Sequence, residues 1–305
     1  MSVEQTASNL RRVGFVGFGA MAQRMATRLR DAGYQVNAYD PKFNGQAVEG
    51  FDMVASPADL ARAVDVVIIS VPADNALTES SWGDNGLLAG ARDGLIVLDT
   101  STVSVGASQK LAKAAKERGV RFVETPVSGS TPQAEKGQLV VLAGGESADI
   151  EAAAPILDVI ARKTVHVGAI GEGLVMKYII NGVMAIGTAA LAEGLAYGVK
   201  AGLERTTMIE TLQDLILVSE HHRRKLDMAK DNAYPAEFPT SLLSKDMGLL
   251  LADANRRQAP MGTMAAGAQL FTLAAAEHGQ DDYAAAIATM ETIVGGPSST
   301  EDSEK

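Results

Sequence analysis

Two groups of residues in this chain have the types and spacing for chemistry. The first is Gly17-Phe18-Gly19-Ala20-Met21-Ala22, a G-x-G-x-x-A loop between an apolar run at 13–17 and a helix-spaced stretch at 21–31. In that context Gly17 permits a tight turn, Gly19 lets the backbone approach a pyrophosphate, and Ala22 is small enough for close helix packing. The diphosphate would rest on amides at the helix N-terminus, so Gly17, Phe18, Gly19, Ala20 and Met21 are the expected cofactor contacts. Asp40 follows Gly19 by 21 residues, close to the spacing of a ribose-binding carboxylate. A carboxylate there accepts bonds from both ribose hydroxyls and repels a 2′-phosphate, which favours NAD over NADP; Lys42 is the one nearby feature that softens this preference. The plain alternatives are a glycine-rich turn without ligand and, at Asp40-Pro41, an ordinary turn start.

The second group is Lys177 and Asn181, preceded by Gly171-Glu172-Gly173. At i and i+4 on one helix they share a face and can reach the same small ligand. A lysine snorkelling from an apolar helix and a core asparagine are the alternatives. Ser128-Gly129-Ser130 lies beyond a strand at 121–124, where amides and a hydroxyl can hold a carboxylate; it also reads as a simple Ser/Gly turn. The four histidines supply no rival catalyst. His166 ends a strand, His221-His222 sits in a charged stretch and His278 lies near a helix end, so surface or structural roles are expected.

The elements that must position these residues are of two kinds. Up to about residue 170, short β-branched runs alternate with helical segments, the pattern of a parallel sheet covered by crossover helices. Strands are expected at 13–17, 35–39, 66–71, 95–99, 121–124, 138–143 and 164–167. Helices are expected at 21–31 with Gly33 as its stop, after the Ser56-Pro57 cap, at 104–118 and at 148–161. Beyond 171 strand signals cease. A long apolar helix should run to Lys200-Ala201-Gly202, and its 15 uncharged residues between Lys177 and Glu193 call for burial on several sides, between domains or subunits. Further helices are expected at 205–230, 242–257, 261–278 and 282–294. The fold class is thus an α/β Rossmann-type N-terminal domain (1–170), then an all-α domain (171–296) joined through a long interdomain helix. Residues 297–305 form a Gly/Pro/Ser-rich, acidic, disordered tail.

Composition narrows the partners. Of 305 residues, 47% are hydrophobic and 21% charged, as in compact globular chains, and the formal net charge of −10 opposes binding to nucleic acid. With no cysteine there is no thiolate metal site, disulfide or cysteine nucleophile, and no metal is expected. The polar start lacks the features of a secretion signal, and the uncharged run 258–276 contains Pro260 and two glycines, which suits a buried amphipathic helix better than a membrane span. A cytoplasmic protein with no membrane partner is the expectation.

Taken together, Gly17-Phe18-Gly19-Ala20-Met21-Ala22, Thr125-Pro126-Val127-Ser128-Gly129-Ser130, Gly171-Glu172-Gly173 with Lys177 and Asn181, and Lys245-Asp246 resemble the β-hydroxyacid dehydrogenases in order and spacing over nearly the whole chain. The resemblance implies reversible hydride transfer between a nicotinamide and a short β-hydroxy acid such as 3-hydroxyisobutyrate, or a related semialdehyde. It implies Lys177 as general acid/base, Asn181 as the group orienting the substrate, and Ser128, Gly129 and Ser130 as the acid anchor. Val71, Pro72 and Thr102 would lie under the nicotinamide and its ribose, and Lys245 would reach the cofactor. A homodimer or homotetramer is implied as well. Physics agrees on Lys177, since an ammonium desolvated beside a cationic ring loses its proton more easily. Ala22, Arg28, Ser130 and Ile180 depart from the family pattern, and Ser130 and Ile180 leave the individual acid open. The competing readings are an imine reductase-like NADP enzyme and a catalytically silent nucleotide-binding protein of the same fold. Lys177 and Asp40 argue against the first, and Lys177 against the second.

Overall fold

The computed structural model describes residues 10–43 and 48–295, which divide into two compact units between Lys177 and Tyr178. The tail expected from residue 297 lies outside the described residues.

The first unit is built on one twisted sheet. Its strands are β1 (Arg12–Val16), β2 (Gln35–Tyr39), β3 (Asp52–Met53), β4 (Val66–Ile69), β5 (Ile96–Asp99), β6 (Arg121–Glu124), β7 (Val127–Ser128), β8 (Leu139–Gly144) and β9 (Ala161–Gly168). They lie in the order β3-β2-β1-β4-β5-β6-β8-β7, with β9 beside β8. The six from β3 to β6 run parallel, and β8 pairs antiparallel with β6 and β7. The order reverses between β1 and β4, the switch point where open parallel sheets form their binding crevice.

Helices connect the strands: α1 (Ala20–Asp31), α2 (Pro57–Ala63), α3 (Asp74–Ser81), α4 (Leu87–Gly90), α5 (Val105–Lys116), α6 (Thr131–Glu135) and α7 (Ser147–Ile160). Helix α1 stops where Gly33 takes φ +93°, its amide donating to the Arg30 carbonyl and that of Tyr34 to Leu29, which satisfies the helix's last carbonyls. Helix α2 starts because the Ser56 hydroxyl accepts from the Asp59 amide and Pro57 presets the first turn. Met25 and Leu29 of α1 and Ile156 and Ile160 of α7 bury against Phe15, Ile68 and Val123 of the sheet. Each such side chain contributes about 1.5–3 kcal/mol.

The second unit is helical: most of α8 (Glu172–Lys200), then α9 (Arg205–Asp214), α10 (Glu220–Lys230), α11 (Thr240–Arg256), α12 (Gly262–His278), a 3-10 turn (Tyr283–Ala285) and α13 (Ala286–Ile293). The single helix expected over 205–230 is two. Its apolar spacing continues through Leu212, Leu215 and Val218, but the chain breaks at 215–219 and restarts where the Ser219 hydroxyl caps α10 by accepting from the His222 amide. The helix expected over 282–294 likewise opens with the 3-10 turn, capped by Asp282.

Helix α8 is long and apolar enough by length and composition to cross a membrane. It buries a stripe at Tyr178, Asn181, Ala185, Thr188, Ala192 and Leu195, the 3-4 spacing of a helix packed on one side. Within one chain its other side is open, with Ile179, Val183 and Tyr197 exposed to solvent, Tyr197 at 76%. Within the expected helix at 258–276, Ala268, Phe271 and Ala274 of α12 are buried, on one face.

Candidate active site

The parallel strands bring five loops to one edge of the sheet, because β1, β2, β4, β5 and β6 all end there. After β1 the chain turns at Gly17, whose φ is +84° and whose amide donates to the Tyr39 carbonyl at 2.8 Å. A Cβ at this position would stand 2.3 Å from the Ser70 carbonyl oxygen, so only glycine fits. Gly19 follows as the residue before α1; a Cβ there would meet nothing within 4 Å, which leaves open space beside the helix's first amides. Ala22 is fully packed, as close helix–sheet contact requires.

The loop and the acid are joined directly. The Phe18 amide donates to Asp40 Oδ2 at 2.7 Å, and the Lys42 amide donates to Oδ1 at 2.9 Å. Asp40 therefore closes a local turn and also pins the glycine loop to the end of β2. Its partly exposed carboxylate retains acceptor positions for a ribose. The Phe18 ring lies in the core, edge-on to Phe15, Phe43 and Phe51, so this residue offers a ligand its backbone alone. Ala20 is exposed and Met21 half-buried at the same helix end.

Val71 and Pro72 follow β4, and Ser101 and Thr102 follow β5. These two loops are coupled: the Val71 amide donates to Ser101 Oγ at 3.0 Å, and the Ser101 amide donates to Asp99 Oδ1 at 3.0 Å. Asp99 is wholly buried. Burial pushes its carboxyl up to about 7; the Ser101 hydroxyl and amide act against that rise, and the carboxylates of Glu124 and Asp74 add to it. Glu124, its register partner on β6, is also raised by burial. Neither acid stands out in the sequence, where each reads as the polar end of a short strand.

Beyond β6, Ser128 is the last residue of β7 and Gly129 is exposed. Ser130 has a second occupation. It caps α6 in a reciprocal box, its hydroxyl and amide both donating to Gln133 Oε1 at 2.8 and 3.0 Å.

Lys177 is half-buried on α8, one turn before Asn181. In the second unit Asn181 is 2% exposed and donates through Nδ2 to Asp246 Oδ2 at 2.6 Å. Lys245 Nζ lies 2.9 Å from Asp246 Oδ1. Asp246 of α11 thus holds Asn181 and Lys245 together, fixing which end of the Asn181 amide is the donor. Among the described residues no group of three or more His, Cys, Asp or Glu could hold a metal ion. His221 and His222 serve the fold. His221 Nε2 bonds the Tyr283 hydroxyl, and His222 Nε2 bonds the Met184 carbonyl at 3.2 Å.

Comparison with known proteins agrees with this geometry. Residues 12–168 match the family described as the NAD binding domain of 6-phosphogluconate dehydrogenase. Residues 171–290 match the NAD-binding domain of NADP-dependent 3-hydroxyisobutyrate dehydrogenase. The 2-(hydroxymethyl)glutarate dehydrogenase of Eubacterium barkeri is 33% identical, over 93% of this chain and 96% of that protein. The NAD-dependent L-serine dehydrogenase of Pseudomonas aeruginosa is 32% identical, over 84% and 90%. The structure of Mycobacterium tuberculosis 3-hydroxyisobutyrate dehydrogenase with L-serine superposes with a TM-score of 0.81 at 26% identity, over 92% of this chain and 99% of that one. A glycine turn that admits no side chain, set before a helix N-terminus, and these matches over both halves lead to one conclusion: the chain belongs to the β-hydroxyacid dehydrogenases of the 3-hydroxyisobutyrate dehydrogenase type, NAD(P)-dependent enzymes that act on a hydroxyl group.

Proposed function

We propose that this enzyme prefers NAD and acts on a short β-hydroxy acid that carries a hydroxymethyl group on the carbon next to its carboxylate. The substrates named for the three relatives, 2-(hydroxymethyl)glutarate, L-serine and 3-hydroxyisobutyrate, share that unit and differ in the third substituent. The observation that carries the reading is the pairing of Lys177 with a buried Asn181 one turn on, its amide orientation fixed by Asp246.

A bound nicotinamide would supply the hydride acceptor for the hydroxyl-bearing carbon, or the hydride donor in the reverse direction. Lys177, in its neutral form, takes the hydroxyl proton during oxidation and gives it back during reduction. Asn181 gives one Nδ2 hydrogen to Asp246 and orients the substrate through the rest of its amide, the second Nδ2 hydrogen donating to the hydroxyl oxygen or carboxylate while the hydroxyl's own proton goes to Lys177. The Ser128-Gly129-Ser130 turn holds the carboxylate through backbone amides and a hydroxyl, an anion site that needs no bulky side chain, and Ser130 takes part by exchanging a bond to Gln133 Oε1 for one to the substrate. The glycine loop, Ala20, Met21, Asp40, Val71, Pro72, Thr102 and Lys245 hold the cofactor. Asp40 sets the preference for NAD by accepting from the ribose and repelling a 2′-phosphate.

The same reading takes the protein as cytoplasmic, which cell fractionation tests. It also takes the protein as a homodimer or homotetramer in which the open apolar side of α8, with Ile179, Val183 and Tyr197, is covered by a second copy. Light scattering should return a multiple of the 31.8 kDa chain mass, and a stable mass of one chain defeats that part. The function itself is tested by assaying NAD and NADP with 3-hydroxyisobutyrate, L-serine, 2-(hydroxymethyl)glutarate and the matching semialdehydes. Turnover of at least one with a higher kcat/KM for NAD is expected. Turnover of none, or a preference for NADP, contradicts the reading.

A further inference from the structure

Helix α8 begins in an unusual setting. The Gly171 carbonyl accepts the first helical bond, from the Val175 amide at 3.1 Å, so the amides of Gly173 and Leu174 lie in the first turn, where no helical carbonyl precedes them. The helix's own Glu172 turns away from them and accepts from the Ala169 amide. What faces them is Glu124, the last residue of β6, at 1% exposure. Its Oε1 accepts from the Ser108 hydroxyl of α5 at 2.6 Å. Its Oε2 closes no well-aligned hydrogen bond of its own and points into the end of α8. There the amides of Gly171, Gly173 and Leu174 favour its charged form against the opposing effect of burial.

Two glycines make the approach possible. A Cβ at Gly144 would come within 2.8 Å of Glu124 Oε2, and one at Gly173 would lie 3.2 Å from that oxygen and 2.5 Å from the Leu142 carbonyl. Strand, helix α5 and the start of α8 therefore meet on one carboxylate, and the field at a helix N-terminus favours an anion there. Lys177 follows Leu174 by less than one turn.

We propose that Glu124 is a positioning residue, which fixes the first turn of α8 to β6 and thereby sets where Lys177 presents its amine. The proposal rests on the reading of Lys177 as proton carrier. A proton carrier displaced by about 1 Å loses rate on the order of a hundredfold, so loosening this anchor should act on turnover and leave cofactor affinity alone.

The test is a double-mutant cycle with Glu124→Ala and Lys177→Ala, read as kcat for oxidation of the best hydroxy acid and as Kd for NADH. Glu124→Ala should lower kcat roughly ten- to a hundredfold while Kd stays within about twofold. In the Lys177→Ala background the same change should alter the residual rate by less than about twofold, since a residue acting through Lys177 has nothing left to act on. Glu124→Gln keeps an oxygen for the amides and a donor for Ser108, and should recover turnover to within about fivefold of wild type. If Glu124→Ala does not fold, Gly173→Ala perturbs the same contact from the helix side and takes its place in the cycle.

Equal losses with and without Lys177, an unaltered kcat, or a Glu124→Gln variant as slow as Glu124→Ala would overturn the proposal while leaving Lys177 in its role. A Lys177→Ala enzyme as fast as wild type would instead remove the reading on which it stands, and the proposal with it.

Discussion

Asp99 offers a quantitative test of the interior beneath the cofactor loops. Its carboxyl, 2% exposed, is raised from 3.8 to about 7, first by burial and then by the nearby carboxylates of Glu124 and Asp74. Well below pH 3.8 the group is protonated whether the chain is folded or not. As pH rises from there toward 7, only the unfolded chain ionises freely, so stability is progressively lost, and above 7 the loss is complete. Its full size is about 4 kcal/mol, at 1.36 kcal/mol per pH unit. Asp99→Asn removes the ionisation but keeps an oxygen for the Ser101 amide, which donates to Oδ1. Any fixed effect of the new amide group is the same at all pH values and cancels when one pH is compared with another. The variant's melting temperature relative to wild type should therefore rise by about 8 °C between pH 4 and pH 8, at roughly 2 °C per kcal/mol. Scanning calorimetry of both proteins across that range makes the measurement. A difference that does not vary with pH, or one that grows toward acid, refutes the placement of a strained carboxyl at the end of β5.

Two further outcomes are expected. Asp40→Ser should weaken NAD and relatively improve NADP in kcat/KM, because the ribose acceptor and the repulsion of a phosphate are lost together; Asp40 also holds the Phe18 amide, so some loss with both cofactors should accompany the switch. His221 is lowered to about 4, chiefly by burial and then by Lys225, so the folded protein keeps it neutral while the unfolded chain protonates near 6.5. Stability is thus lost as pH falls from 6.5 toward 4, by about 1–2 kcal/mol after allowance for its partly wet ring, and denaturant titrations of His221→Gln should show that acid-side loss diminished.

What was legible in the sequence was what local chemistry controls. The glycine loop, strand β2 at Gln35–Tyr39, the Ser56-Pro57 helix start and the Gly33 stop each depend on a few neighbouring residues, and each has the expected local form. Asp99, Glu124 and Asp246 were not legible as parts of the site. Their roles come from burial and from partners distant in sequence: a facing strand for the first two, and Asn181, 65 residues away, for the third. Strands β3 and β7 have two residues each, too few to show alternation. The cap at Ser130 could have been read, since Ser130-Thr131-Pro132-Gln133 is a capping-box pattern with a first-turn proline. The stop at Leu215 could not, because apolar spacing continued across it.

The central claim is that Lys177 carries the proton of a nicotinamide-dependent oxidation, and it is tested most directly by comparing Lys177→Ala with wild type in single-turnover oxidation of the best hydroxy acid, alongside Kd for NAD. The prediction is a rate lower by roughly two to four powers of ten with Kd nearly unchanged. An unaltered rate, or a parallel loss of rate and NAD affinity, would contradict it.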